Sequence, residues 1–546
     1  MPAMRRRMRH LVTLLAISAS AATLAACGDG GNADRDPARY GGTVVVVNNS
    51  DIENMNPLAA ADRYTQEVNR YFLFLPLIRY TADLDYEPAL AERWEMLGDT
   101  GVVFHLRRDV HWHDGVRTTA RDVVFTYERA VDPETAYPNA SYFEHWTGVE
   151  AQDSFTVRFT FGPHLEPLAG LTFLPIAPAH ALEDVPPAAM RQAAFNKQPV
   201  GNGPYRFVSY RANDRTVFEA NPDFPAALGG KPYIDRIVYR PIPDPTAQFA
   251  ELAAGTADII LQPQAEEFVE LAARPGIRGL ERPGRQYASI MWNGRVEPLD
   301  DPAVRRALTH AIDRQQIVQT LRGGYGELAI GPIGPYHWAY DDGTPPVPFS
   351  PDSARALLAA AGLRDTTGDG MLDLPDGRPF TIELKMPATQ MNRDMAEMIR
   401  SHLAAVGVRM TTRPMEFNTL VGDLTSPQRN FQAALMAWES DFRINLRDTF
   451  HSDAMSGIYQ TAGYANPRVD MLIDSVGRTV QREQATAIYG ELQRIMRDEQ
   501  PWSFLYYYPD LVLVRDRLQG VEMDIRGAFT NVTRWYVEGA GPEQRD

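Results

Sequence analysis

Apolar and polar positions change their period repeatedly along the 546 residues. The unbroken run Val44 to Val47 in GGTVVVVNNS predicts a buried strand that opens the globular part. Shorter strand patterns follow between Leu84 and Arg108, with VVFHLRR the clearest. The period then turns helical in TTARDVVFTYERAVDP. There Val123, Val124, Tyr127, Ala130 and Val131 share one face, Thr119 and Asp122 form a capping box, and Pro133 stops the helix. A second helix is predicted in DDPAVRRALTHAIDRQQIVQTLRGG. Val304, Ala307, Leu308, Ala311 and Ile312 recur at helical spacing, Asp301 caps, Pro302 sits in the first turn, and Gly323 and Gly324 end it. PVGNGPYRFVSY returns from loop to strand near Gly201, and WSFLYYYPDLVLV predicts a late strand. Strand and helix periods mixed in this way predict an α/β architecture. About 505 residues follow the N-terminal segments, too many for one hydrophobic core, so two or three domains are expected.

The N-terminal segments are of another kind. MPAMRRRMRH carries Arg5, Arg6, Arg7 and Arg9 with no acid, and the apolar run Leu11 to Leu24 is too short to span a bilayer. It ends in Leu24-Ala25-Ala26-Cys27, which resembles the lipobox of bacterial lipoproteins. The resemblance implies a signal peptide over residues 1–26, cleavage before Cys27, and acylation of that cysteine as a stable membrane anchor. Residues 27–40, rich in glycine and polar residues, read as a flexible tether. Cys27 is the only cysteine, so the mature domains have no disulfide and no thiol chemistry, which suits an extracytoplasmic compartment.

Charge excludes further classes. The formal net charge is −16, and moves to about −20 without the four leader arginines. Nucleic acid and anionic lipid are therefore not expected partners of the bulk surface. Lys197, Lys231 and Lys385 are the only lysines, which leaves a Schiff-base mechanism few candidates. HExxH, GxSxG and GxxxxGK[ST] are all absent, and GNGPYR and GDGGNA fail the dinucleotide pattern, so a secreted hydrolase is only a distant alternative.

Two motifs raise metal questions. HWHDG, His111 to Gly115, places two histidines on one face of a strand beside an aspartate. DTTGDGMLDLPD places Asp365, Thr367, Asp369, Met371, Asp373 and Asp376 at positions 1, 3, 5, 7, 9 and 12 of a calcium loop, with Gly370 at the sharp turn. Hard oxygen donors at alternating positions suit calcium. A shorter aspartate stands at position 12, however, and PFTIELKM afterwards reads as a strand. Structural calcium is thus an expectation for this loop, and no cofactor is required otherwise.

Eight stretches in order resemble family 5 of the extracellular solute-binding proteins, the dipeptide and oligopeptide receptors of ABC importers. They are EPALAERWE, LRRDVHWHDGVRTTARDVVFTYERAVDP, PVGNGPYRF, DDPAVRRALTHAIDRQQIV, SARALLAAAG, MAEMIRSHLAAVGV, the segment Trp438 to Asp441, and GYANPRVDMLI. They run in the family's order from Glu87 to Ile473, and the resemblance covers essentially all of residues 41–540. The resemblance implies a type II periplasmic-binding-protein fold, two α/β lobes joined by a hinge, plus an extra inserted domain. Carried onto this chain, lobe I is 41–79, 200–296 and 511–540, the inserted domain is 80–199, and the second lobe is 297–510. In the family HWHDG is a strand end and turn, and Asp114-Gly115 is a good turn pair. A metal site would need further ligands, and none stands at motif spacing.

The resemblance further implies a non-enzymatic protein that captures peptides between its lobes by hinge closure. It would deliver them to permease and ATPase subunits of an importer, as a monomer anchored at the periplasmic or cell-surface side of a bacterial membrane. The family's key residue is an aspartate three positions after a tryptophan, pairing with the ligand's α-ammonium; AWESD supplies Trp438 and Asp441. An aspartate there selects for an amine, because an unpaired buried charge is costly. KMPATQMNRD lacks the arginine with which dipeptide receptors hold the ligand carboxylate; Arg443, Arg447 and Arg413 are possible substitutes. Arg63 and Tyr64 in the first-lobe loop, Trp292 and Asn293 in MWNG, Tyr508 in LYYYPD and Trp338 in GPIGPYHWAYDD are further cleft candidates. The family also includes receptors for nickel chelates, oligosaccharides, opines and haem, and the same fold could serve a ligand sensor.

Overall fold

The computed structural model describes residues 36–52 and 54–539. Cys27, and with it the expected lipid anchor, lies outside the described residues; among the described residues, no helix is long and apolar enough to cross a membrane.

Two long strands organise the protein. Ile277–Trp292 and Trp502–Arg515 pair antiparallel along most of their length. Fourteen to sixteen residues in extended form reach about 50 Å. One sheet grows outward from this pair. On one side follow Ile259–Leu261, Thr43–Asn48, Arg236–Pro241, Arg215–Ala220 and Tyr205–Arg211; on the other follow Ala433–Glu439, Thr381–Pro387 and Arg409–Met415. The first set belongs to lobe I and the second to the other lobe. Where the sheet passes between them, the pairing shifts register between Pro283 and Tyr287. Gly284 permits the bulge, since a Cβ there would stand 2.3 Å from the Tyr508 carbonyl. Gln286–Trp292 pair with Ala433–Glu439 and bury Ala288, Ile290 and Trp292 in the second lobe's core.

Residues 80–199 carry their own antiparallel sheet, in the order Ala91–Met96, Gly101–Leu106, Thr156–Phe161, Trp146–Asp153. The predicted capped helix, Ala120–Val131, packs Tyr127 against Phe143, Trp146 and Phe159 at 5.4–5.6 Å between ring centroids. Its N-terminus is closed as expected: the Asp122 carboxylate accepts the Thr119 N–H at 2.8 Å. The second predicted helix is two helices, Pro302–Ala311 and Arg314–Leu321. Ile312 turns extended, and the Asp313 carboxylate starts a fresh helix by accepting the Gln316 N–H at 2.9 Å. A second acceptor in mid-pattern won over continued periodicity.

The HWHDG segment forms a turn that ties the inserted domain to lobe I. His113 Nδ1 accepts the Gly201 N–H at 3.2 Å, and its Nε2 lies 3.1 Å from the Gly203 carbonyl, to which it donates. Both ring nitrogens are thus spent, and burial lowers the His113 pKa to about 4. Gly201 and Gly203 must be glycine, because a Cβ would meet the Leu73 and Phe72 carbonyls at 2.0 and 2.4 Å.

Candidate ligand-binding cleft

As it leaves strand Ala433–Glu439, the chain runs through Ser440, Asp441 and Phe442 along the boundary between lobes. Trp438 is paired opposite Tyr287, with its ring 5.5 Å from Trp502 and 5.9 Å from Tyr459. The segment beyond it is held from behind by the proline- and glycine-rich loop. Ser440 Oγ donates to the Pro332 carbonyl at 2.8 Å, Tyr336 Oη to the Asp441 carbonyl at 3.1 Å, and His337 Nε2 to the Phe442 carbonyl at 2.8 Å. These bonds use backbone and neighbouring groups, leaving the Asp441 side chain 42% exposed. Its Oδ1 accepts only the adjacent Phe442 N–H at 2.7 Å, with Arg285 Nη1 at 3.9 Å.

Three cavities follow one another along this segment. The first, about 170 Å³, is lined by Arg63, Arg70, Phe173, Arg285, Glu439 and Asp441 among others. A second, about 190 Å³, shares Glu439, Ser440 and Asp441 with it and adds Tyr142 and Trp438. The third, about 380 Å³, shares Arg443, Ile444, Asn445 and Leu446 with the second. It extends between the inserted domain (His145, His164, Glu166) and the second lobe (Trp338, Tyr489). Asp441 stands at the wall common to the first two cavities. A concave site with mixed walls and a few convergent polar groups is what binding requires.

The floor of the first cavity is strongly charged and internally paired. Asp510 accepts both Arg63 Nη1 and Nη2, at 3.2 and 2.6 Å, as well as Arg282 Nη2 and Gln262 Nε2. Arg63 Nε adds Glu67 at 2.9 Å. Burial alone would push the Asp510 carboxyl up, but Arg63 and Arg282 outweigh it and hold the group well below the usual carboxylate range. Arg285 pairs with Glu439 at 2.7 Å and lies 4.6 Å above the Phe442 ring. Burial lowers its pKa, and the coulombic pull of Glu439 more than reverses that.

The sequence candidates divide on this geometry. Asp441, Trp438, Arg63, Trp338, Arg443 and Arg447 all line the groove, but the last four are already engaged. Arg443 reaches the inserted domain, at 3.1 Å from both the Ser141 carbonyl and Glu144, with its guanidinium 5.0 Å above Tyr142. Arg447 is divided between Asp453 and Asp474, and Arg413 faces Glu383 at 3.7 Å on the sheet's outer strand. The three arginines weighed for a ligand carboxylate are thus committed to protein acids. Trp338 donates Nε1 to Glu166 at 3.2 Å beneath Arg482, and its loop buttresses the groove rather than covering it.

Four candidates stand elsewhere. Trp292 is 1% exposed, with Nε1 on Ser503 Oγ at 2.8 Å, and Asn293 spends its amide on the Arg429 and Phe431 carbonyls. Both are scaffold, because the strand carrying them runs on past the crossing into the second lobe. Tyr508 stacks 5.0 Å from Tyr506 under Arg322 and lines a separate cavity with Met395 and Phe417. Tyr64 packs on the lobe I core, and burial raises its pKa, keeping the phenol neutral. Sequence reasoning missed Arg70, Arg285 and Glu439. Arg70 did carry a signal, as a lone charge in the apolar run VNRYFLFL.

In the loop for which calcium is an expectation, the carboxylates are engaged by protein groups. Asp365 accepts the Gly368 and Gly370 N–H groups at 2.6 and 2.9 Å, and Asp369 accepts Met371 N–H and Arg409. Asp373 takes the Thr366 N–H and hydroxyl, and Asp376 takes Arg378. The carboxylates turn onto the loop's own backbone and nearby arginines, and the exposed Thr367 side chain hydrogen-bonds Asp369. Among the described residues, no group of three or more His, Cys, Asp or Glu side chains is placed to hold a metal ion.

Comparison with known proteins agrees with this architecture. The family described as bacterial extracellular solute-binding proteins, family 5 Middle, matches residues 85–446. The oligopeptide-binding protein AppA of Bacillus subtilis (strain 168) is 28% identical, over 98% of this chain and 100% of its own length. Heme-binding protein A of Haemophilus influenzae is 28% identical, over 90% of this chain and 93% of its own. The solved structure of Bacillus subtilis AppA in complex with a nonapeptide superposes with a TM-score of 0.77 at 28% identity, covering 91% of this chain and 99% of that one.

Proposed function

The chain belongs to the bacterial extracellular solute-binding proteins of family 5, and on that premise we propose that it captures peptides in the cleft along residues 438–447. The observation that carries this reading is Asp441, a half-exposed carboxylate whose nearest arginine, Arg285, stands at 3.9 Å and is paired with Glu439 at 2.7 Å, set where two cavities meet between the lobes. An α-ammonium entering there finds a fixed acceptor whose surroundings are already hydrogen-bonded. The successive cavities offer room for residues beyond the first. Relatives of similar length that bind oligopeptides support the same cargo class.

The mechanism is closure and handover, with no bond made or broken. The two long strands join the lobes at Pro283–Tyr287 and Tyr507–Pro509, so a small change in twist there swings one lobe against the other. A ligand that touches Asp441 on one side and lobe I on the other stabilises the closed arrangement only by that difference in contacts. The closed form would dock on a membrane permease, with an ATPase subunit supplying energy. Acylated Cys27 would hold the protein at the periplasmic or outer cell surface. Structural calcium at the Asp365 loop is not part of this reading.

Isothermal titration with free peptides of two to nine residues tests it. Binding that disappears on N-acetylation is the expected result. Binding of no peptide, with a chelate or sugar bound in its place, would refute it.

A further inference from the structure

We propose that Arg70 is the anchor for the carboxylate of the bound peptide, so that the first cavity selects short peptides with both termini free. The assignment rests on the peptide reading above and adds the other end of the ligand to it.

Arg70 is 8% exposed, and its Nε is buried without a hydrogen-bond partner. Its guanidinium lies 4.7 Å above the Phe173 ring and 5.8 Å from that of Tyr71. Aromatic faces fix a guanidinium's direction without neutralising it. Every other arginine lining the same cavity has a carboxylate: Arg63 has Asp510 and Glu67, Arg285 has Glu439, and Arg526 has Asp524. Among the described residues, none pairs with Arg70. An unpaired buried cation is expensive to keep, and the expense is recovered when an anion arrives.

The same cavity holds the opposite need. Asp441 offers a carboxylate that accepts the Phe442 N–H at 2.7 Å and lies 3.9 Å from Arg285, a guanidinium held more closely by Glu439. One wall thus wants a cation and another wants an anion. A zwitterion with its charges at two ends meets both, and a guanidinium receives a carboxylate through two parallel N–H bonds. Ligands lacking the carboxylate would leave Arg70 buried and unpaired, which is how a site rejects an analogue missing one group. Arg443 and Arg447 cannot take this part, since protein carboxylates occupy them.

The test compares wild-type protein, by titration calorimetry, on free-acid peptides of two to nine residues, their C-terminal amides and their N-acetyl forms. Amidation of the shortest bound peptide is expected to weaken binding about 10- to 100-fold. In Arg70→Gln the free acid should fall by the same factor and amidation should cost nothing further, while Arg70→Lys should restore part of the loss. N-acetylation should remain costly in all three proteins, because it acts at Asp441. Equal affinity for acid and amide in the wild type, with N-acetylation still costly, would overturn the role of Arg70 and leave the peptide reading standing. Failure of the whole panel to bind would overturn both. The wild-type comparison needs no variant to fold.

Discussion

Replacing Asp510 with asparagine should destabilise the protein by an amount the structure sets. The side chain is 6% exposed and sits between Arg63 and Arg282, joining the start of a lobe I helix to both crossing strands. Loss of its charge leaves Arg282 buried without a carboxylate and Arg63 with Glu67 alone. Removing one partner of a buried ion pair costs about 3–5 kcal/mol. With about 500 folded residues, the unfolding entropy is near 1 kcal/mol per kelvin, so the melting temperature should drop by roughly 3–5 °C. The pH dependence gives a second check. A carboxyl held below its ordinary value of 3.8 stabilises fully above that pH and loses its contribution as pH falls beneath it. Scanning calorimetry at pH 7 and at steps down to pH 3 should show the gap between wild type and Asp510→Asn largest at neutral pH and shrinking below about pH 3.8. Equal melting temperatures at pH 7, or a gap that widens in acid, would refute the reasoning.

Asp441→Asn should weaken binding of free-amine peptides about 5- to 30-fold, the charged hydrogen bond being reduced by partial exposure; unchanged affinity in calorimetry would count against the anchor. His113, His164 and His337 are held neutral by burial, with pKa values near 4 against an ordinary 6.5. Since the unfolded chain takes up those protons first, wild-type melting temperature should decline as pH falls from about 6.5 towards 4, and a flat profile would contradict their burial. Trp292→Phe should cost about 1 kcal/mol in chemical denaturation by removing one of the two hydrogen bonds to buried Ser503 Oγ, which keeps Thr309, with peptide affinity unchanged; a selective loss of affinity would return Trp292 to the cleft. Millimolar calcium or chelator should leave the melting temperature where it is, and a calcium-dependent rise would show that the Asp365 loop rearranges around the ion.

What could be read in the sequence was local. The Thr119–Asp122 box, the strand at Val44–Val47 and the WSFLYYY strand depend on neighbours a few residues away, and each formed as its pattern required. The AWESD spacing likewise reached the groove, because the strand that carries Trp438 ends at Glu439 and Asp441 follows just beyond it. What stayed hidden depends on distant partners. Arg443 reads as a free cation until residues 141–144 of the inserted domain arrive beside it. Trp292 reads as a hinge aromatic until Ser503 and the second lobe's core close over it. Arg70 reads as a flaw in an apolar run, and only the tertiary structure shows that every neighbouring arginine is paired and it is not. The expected helix through Ile312 failed for a local reason that periodicity ignores, the competing cap at Asp313.

The central claim is that the cleft along Asp441 carries peptides. Mass spectrometry of the protein purified without unfolding, comparing native and denatured masses, tests it most directly. A set of released peptides, short and with free termini, is the predicted result. A single non-peptide mass such as a chelate, sugar or haem would contradict the claim, leaving the two-lobed fold in place and Asp441 without its assigned partner.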